Sequence, residues 1–209
     1  RYLYRAQPPT DSSSRRHPPA VRAAEGASQR SDVGTKQKGD KMIKDVQCQD
    51  SYVTHAFIDA QNIYKGVQSD GWSLDWRKFR VYLRDKYHVE KAFVFIGYMS
   101  QYQSLYSLLE ESGYVLIFKP VIMRATGEVK GNVDAELIVE CWRREGEYDK
   151  AVIVTGDGDF APLVKILQEK GRFEHVIAPN RKYASSLLRK ASGSNITFMK
   201  EIRGKVRRR

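Results

Sequence analysis

From Val53 to Met199, apolar runs of strand length alternate with stretches of helical period. Val53 to Ile58, Lys91 to Tyr98, Tyr114 to Lys119, Ala151 to Thr155, Phe173 to Ala178 and Ile196 to Met199 read as strands, each short and rich in β-branched or aromatic residues. Between them lie helical patterns. Leu74 to Tyr87 places Phe79, Leu83 and Tyr87 on one face behind Ser73 as N-cap, and Gln101 to Glu111 carries Leu105, Leu108 and Leu109. Val133 to Glu145 repeats Leu137, Ile138 and Cys141 at helical spacing, and Ala161 to Lys170 and Tyr183 to Ala191 complete the set. Val121 to Lys130, beyond Pro120, reads as a loop or short extension. Strands alternating with helices predict an α/β domain whose mostly parallel sheet is covered on both faces.

Residues 1–50 have a different texture. Pro8-Pro9, Ser12-Ser13-Ser14 and Pro18-Pro19, with few large apolar residues, predict a disordered N-terminal segment. One hypothesis is that Met42 is the physiological start and the residues before it are upstream sequence; the alternative keeps residues 1–41 in the protein. The folded domain is expected over residues 51–201, with a basic tail at 202–209. The formal charge of +11 divides along the same lines, because 51–201 holds 21 basic against 19 acidic side chains while 202–209 holds five basic and none acidic. That terminal charge could attract phosphate backbones, and a solvated basic terminus is the plainer reading.

Two further features narrow the class. No apolar run approaches the roughly 20 residues that a membrane-crossing helix needs, so no membrane role is expected. Cys48 and Cys141 are too few for a metal-binding set, and a reducing, cytoplasmic setting is expected over secretion.

The candidate chemistry sits where predicted strands end in acid. Ala56-Phe57-Ile58 runs into Asp59, with Asn62 three residues on, and Ala151-Val152-Ile153-Val154 runs into Thr155-Gly156-Asp157-Gly158-Asp159-Phe160. In open parallel sheets the functional crevice lies beyond the carboxyl ends of the strands, near the point where strand order reverses. Asp59 and Asp157 would both arrive there. Asp134, at the start of the helix after Lys130-Gly131-Asn132-Val133, could face the same crevice, and Asp159 lies two residues past Asp157. Crowded carboxylates repel, and a divalent cation relieves the repulsion. Oxygen ligands without a Cys/His set point to Mg²⁺ or Mn²⁺.

Each residue also has a plainer role. Asp159 alone fits a helix N-cap, and Asp134 fits one equally well. Two strand ends that both finish in acid are harder to explain as isolated caps. Asn62 could orient a phosphate or serve a loop, Thr155 could fix the Asp157 carboxylate or simply be a β-branched strand residue, and Lys130 could contact a phosphate or sit on the surface. Glu140 is read as part of a solvated helix face.

Phe57-Ile58-Asp59-Ala60-Gln61-Asn62, Lys130-Gly131-Asn132-Val133-Asp134 and Thr155-Gly156-Asp157-Gly158-Asp159-Phe160, in this order and spacing, resemble the NYN domain of the PIN-like nuclease superfamily, within it the LabA-like, DUF88 branch. The resemblance covers about residues 52–200. It implies a three-layer PIN-like Rossmannoid fold and a divalent-metal site of Asp59, Asp134, Asp157 and Asp159 that hydrolyses RNA phosphodiesters, with Asn62 as the polar residue after the first strand. The implied partner is single-stranded or structured RNA. Arg143, Arg144, Arg181, Lys182 and Arg189 are candidates to guide the strand, and Tyr98, Tyr102 and Tyr183 to stack unpaired bases. Members of this branch are also discussed as regulatory or RNA-binding modules, so a catalytically weak protein acting through partners, homo-oligomers included, is the second expectation. A Toprim enzyme would need glutamate in place of Asp59, and a receiver domain would need paired acids after the first strand; both are disfavoured.

Overall fold

The computed structural model describes residues 52–119, 122–123, 129–130 and 133–208, with side chains at 52–119 and 135–208. The expectations for residues 1–50, including Met42 and Cys48, lie outside the described residues. The chain then forms β1 (Thr54–Asp59), α1 (Ala60–Ser69), α2 (Trp76–Tyr87), β2 (Val89–Gly97), α3 (Gln103–Glu111), β3 (Tyr114–Lys119), β4 (Ile122–Met123), β5 (Val129–Lys130) and α4 (Val133–Arg143). It continues through β6 (Lys150–Val154), α5 (Ala161–Glu169), β7 (Phe173–Ala178), α6 (Ser186–Ser192), β8 (Ile196–Phe198) and α7 (Met199–Val206).

Six strands form one sheet in the order β3-β2-β1-β6-β7-β8, every neighbouring pair parallel, so the α/β expectation holds. Strand order reverses between β1 and β6. A doubly wound sheet opens its crevice beyond the carboxyl ends of the strands at that point. The stretch expected as a loop or extension instead contains an antiparallel pair, with Ile122 opposite Lys130 and Met123 opposite Val129.

Alternation along the central strands divides the core in two. Ala56 and Ile58 of β1, with Val94, Val152 and Val154, face a cluster that includes Ile63, Phe79, Leu83 and Leu109. Phe57, Phe93 and Ile153 face the other cluster, with Leu137, Leu163, Val164 and Leu188. Every β1 residue is buried, as a central strand covered on both faces requires.

Three differences from the sequence reading have local causes. Helix α1 carries Ala60, Ile63 and Val67 at helical spacing toward the core, but Gly66 interrupts the pattern. That glycine is demanded by packing, because a Cβ at Gly66 would overlap the ring of Pro179. Helix α2 is capped by Asp75, whose carboxylate accepts the Lys78 amide at 3.1 Å, and not by Ser73. Ser73 and Leu74 instead meet the end of the chain: Leu74 bridges Arg207, and the Arg208 amide donates to the Ser73 carbonyl at 2.9 Å. That contact is delivered by α7, where a basic tail was expected. Its Ile202 and Val206 join the core, leaving Arg203 and Lys205 outside.

His55 is fully buried in β1 between the rings of Phe93 and Tyr148, and neither ring nitrogen has a hydrogen-bond partner among the described residues. Burial, then Lys91 and Arg144, push its pKa below the ordinary 6.5 against the opposing pull of Glu90 and Glu147. His175 is lowered from the same value by burial and by Lys86. Both groups bind protons less tightly folded than unfolded, so unfolding takes up protons and stability rises with pH through this range. Stability should be complete above about pH 6.5 and decline as the pH falls below it toward the folded pKa values. Urea midpoints at about pH 7.5 and 5.5 should show this drop, and His55→Leu should reduce it; an unchanged drop would remove His55 from the account.

Candidate functional site

Two loops leave the sheet side by side at the reversal point. Ile58 pairs with Val154, so the next residues of each strand, Asp59 and Thr155, are delivered to the same edge. Asp59 is only 4 % exposed. Its Oδ1 accepts the Asn62 amide at 3.1 Å, which makes it the N-cap of α1. A buried carboxylate at a helix N-terminus is favoured by the orphan amides and by the helix dipole.

The loop after β6 is held from several directions. Thr155, fully buried, accepts the Asp157 amide on Oγ1 at 3.2 Å, so it fixes the backbone of Asp157 and not its carboxylate. Asn62 Oδ1 accepts the Gly156 amide at 2.8 Å, joining the start of α1 to the end of β6 across 94 residues of chain. The Gly156 carbonyl accepts the Ser185 amide at 2.9 Å. A Cβ on Gly156 would stand 3.0 Å from both Pro179 Cδ and the Tyr183 carbonyl oxygen, and one on Gly158 would overlap the Ser185 hydroxyl. The glycines therefore let the loop from β7 to α6 close over this one.

The acids within the loop have unequal settings. Asp157 is half-buried, and its Oδ1 accepts the Asp159 amide at 3.0 Å, capping the 3-10 turn Gly158–Phe160. Asp159 lies inside that turn and is exposed; it does not cap α5, whose N-cap is Phe160 with Pro162 in the first turn. Asp134 belongs to the first turn of α4, the helix that packs on β1, β2 and the 158–160 turn, and its side chain lies outside the described residues, as does that of Lys130. Among the described residues no three His, Cys, Asp or Glu side chains are grouped so as to hold a metal ion.

The expected basic and aromatic residues separate by position. Arg181 and Lys182 are exposed on the loop after β7, near Gly156; Arg181 lies 3.8 Å from Glu201 and over the ring of Phe198, while Lys182 sits over Tyr183. Arg143 and Arg144 are at the far end of α4, each 2.9 Å from Glu140. Glu140 is buried by this pairing, in contrast to the solvated face expected for it. Arg189 is exposed in the last turn of α6. Tyr98 packs against Tyr106 and Phe118, and all three candidates, Tyr98, Tyr102 and Tyr183, are exposed.

Residues the sequence reading passed over hold this edge in place. Asn180, buried at 4 % exposure, accepts the Tyr183 amide and donates to the Gly66 carbonyl, and Ser185 caps α6. Pro179-Asn180 directly after an apolar strand was the signal for a shaped turn. Lys119 is buried at the carboxyl end of β3, a position that its apolar neighbours Ile117 and Phe118 do not announce.

An all-parallel sheet with acids at the carboxyl ends of its two central strands defines a Rossmann-like α/β protein with an acidic edge site. The chain belongs to the NYN domain family, which it matches over residues 54–198, more than half of its length. It is similar to the low amplitude and bright protein LabA of Synechococcus elongatus, with 23 % identity over 151 residues that cover 63 % of this chain and 76 % of LabA. Among solved structures it is similar in fold to a protein of unknown function from Vibrio parahaemolyticus, at a TM-score of 0.61 and 22 % identity, covering 72 % of this chain and 94 % of that one. No helix among the described residues is long and apolar enough to cross a membrane.

The bond between Asn62 and Gly156 gives this edge a testable dependence. Asn62→Ala would leave the buried Gly156 amide without its acceptor, a loss of about 1–3 kcal/mol. Gln61→Ala, at the exposed neighbouring position, should stay within about 0.5 kcal/mol of wild type. Urea denaturation of both variants reads the difference, and equal midpoints would show that the bond contributes little.

Proposed function

We propose that this protein is a divalent-metal-dependent ribonuclease that hydrolyses RNA phosphodiester bonds, with Asp59, Asp134, Asp157 and Asp159 as its acidic centre. The observation that carries the reading is the buried carboxylate of Asp59 at the end of β1, beside the loop that brings Asp157 from the neighbouring strand β6. The cap engages one oxygen of that carboxylate on the Asn62 amide, and a second acid on the adjacent loop adds a repulsion that a cation would relieve. The family match adds the superfamily in which nucleases are general.

The donor set fits a hard cation. Carboxylate oxygens from adjacent loops, without cysteine or histidine among them, suit Mg²⁺ or Mn²⁺. When bound, such an ion would polarise the scissile phosphate and lower the pKa of an attacking water. Asp59 and Asp157 would be its ligands, with Asp134 and Asp159 completing the set. The chain's own contribution is placement. The caps made by Asp59 and Asp157 fix one oxygen of each carboxylate on a backbone amide, which restricts both side chains before any ligand arrives. Thr155 and Asn62 hold the loop between them, and Lys130, Arg181 and Lys182 would meet the phosphates of the RNA.

A second reading, a regulatory RNA-binding protein with little catalysis, is favoured by the same caps, because each gives its acid a structural duty that needs no metal. Asp157→Asn separates the two. Asparagine still accepts the Asp159 amide and caps well, so the fold should survive while a charged ligand is lost. The full chain is incubated with single-stranded and structured RNA in Mg²⁺ or Mn²⁺, with and without chelator. Metal-dependent cleavage, reduced on the order of 100-fold or more by Asp157→Asn at unchanged melting temperature, is the expected result. Tight binding with wild type and variant equally inert would favour the regulatory reading.

A further inference from the structure

A groove of about 870 Å³ opens at the carboxyl edge, on the side of the acidic loops formed by α1, the start of α2 and the segment after β2. It begins where Asp59 ends: Ala60 and Gln61 line it, and so does Phe95, the register partner of Asp59 in β2. Leu105 and Leu108 contribute to a mostly apolar wall. Two exposed rings stand at it, Tyr64 at 55 % and Tyr102 at 45 %. Tyr64 is steadied by Gln68, whose Nε2 donates to its hydroxyl at 2.6 Å.

The charge on the rim is positive and partly unmatched. Lys65 and Arg208 line the groove, and among the described residues neither enters an ion pair, whereas Arg77 is paired with Glu111 and Asp75 with Lys78. Arg208 is there because α7 folds back, with the Arg208 amide bonded to Ser73 and the Lys78 ammonium bonded to the Arg207 carbonyl at 3.1 Å. The basic end of the chain is thus anchored beside the groove.

We propose that this groove is a subsite for an unpaired nucleotide of single-stranded RNA beside the acidic edge, with Tyr64 and Tyr102 stacking on the base and Lys65 and Arg208 meeting its phosphates. Planar rings, an apolar wall and unmatched cations suit a nucleotide, and the continuity with Asp59 places it on the path of a strand that reaches the acidic edge. A double helix would keep its base faces stacked inside, so these rings could not stack on them. The proposal rests on RNA being the ligand but not on cleavage.

The test is binding of the full chain, in chelator, to a fluorescein-labelled single-stranded oligoribonucleotide and to a duplex of the same length, read by anisotropy over a range of salt. Tyr64→Ala and Tyr102→Ala should each weaken single-strand binding by roughly 5- to 100-fold, and Tyr64→Phe and Tyr102→Phe should restore most of it. Lys65→Gln and Arg208→Gln should each lower the salt slope by about 0.7. Both tyrosines are exposed, so melting temperatures should be unchanged and the loss is not one of folding. Wild-type single-strand binding that the alanine variants match would overturn the subsite and leave RNA as the ligand. A wild type that binds neither RNA would overturn both readings.

Discussion

The acidic edge depends on a single joint, the hydrogen bond from the Gly156 amide to Asn62 Oδ1. Parallel pairing of β1 with β6 brings the two strand ends together but does not shape the loops that follow. Asn62 does that. It stands in the first turn of α1, its own amide is held by Asp59, and its side chain reaches across to the loop of Asp157. The cap of α1 and the course of the second loop are therefore one arrangement, and a change in either carboxylate's position would be felt by the other.

The same joint explains why the loop is glycine-rich. Gly156 lies under Pro179 and the Tyr183 carbonyl and beside Asn62 Oδ1, so a side chain there would be tight and would have to push a neighbour aside. The loop from β7 to α6 packs on it from above, and Asn180 ties that loop in turn to Gly66 of α1. Three connections from three strands converge on one point. Polar groups buried here need partners, and Asp59, Thr155 and Asn180 have them just beyond strand segments, Ala56–Ile58, Ala151–Val154 and Val176–Ala178, that are apolar.

How much of this could be read from the sequence follows from the range of the interactions. Strands Tyr114–Lys119 and Phe173–Ala178 match their predicted limits, because a short run rich in β-branched and aromatic residues announces a strand locally, even at the sheet edge where β3 lies. Helix α1 was not legible, since its Gly66 reads as a breaker until Pro179, more than 100 residues on, is known to fill the space. Helix α7 was hidden by its own charge: Arg203, Lys205 and Arg207 suggest a solvated tail, and Ile202 and Val206 acquire meaning only against α2. Of the site, Asp59 and Asp157 could be placed at strand ends, and the structure puts those ends side by side. Their capping duties could not be read, because each depends on a turn whose backbone geometry the sequence leaves open.

The two halves of the sheet treat the edge differently, and this bears on what the edge can bind. On the β6–β8 side, Pro179, Asn180, Tyr183 and Ser185 close tightly over the Gly156 loop and leave little space beside it. On the β1–β3 side the groove opens between α1, the start of α2 and the segment after β2, and the chain's return through α7 pairs Leu74 with Arg207 ahead of the Asp75 cap of α2. Had Ser73 capped α2 as the local pattern suggests, Leu74 and Asp75 would belong to the helix and the end of the chain would lose its partner. The rigidity of one half fixes the acids, and the extended Ser73–Leu74 path of the other gives Arg208 its place beside the open groove.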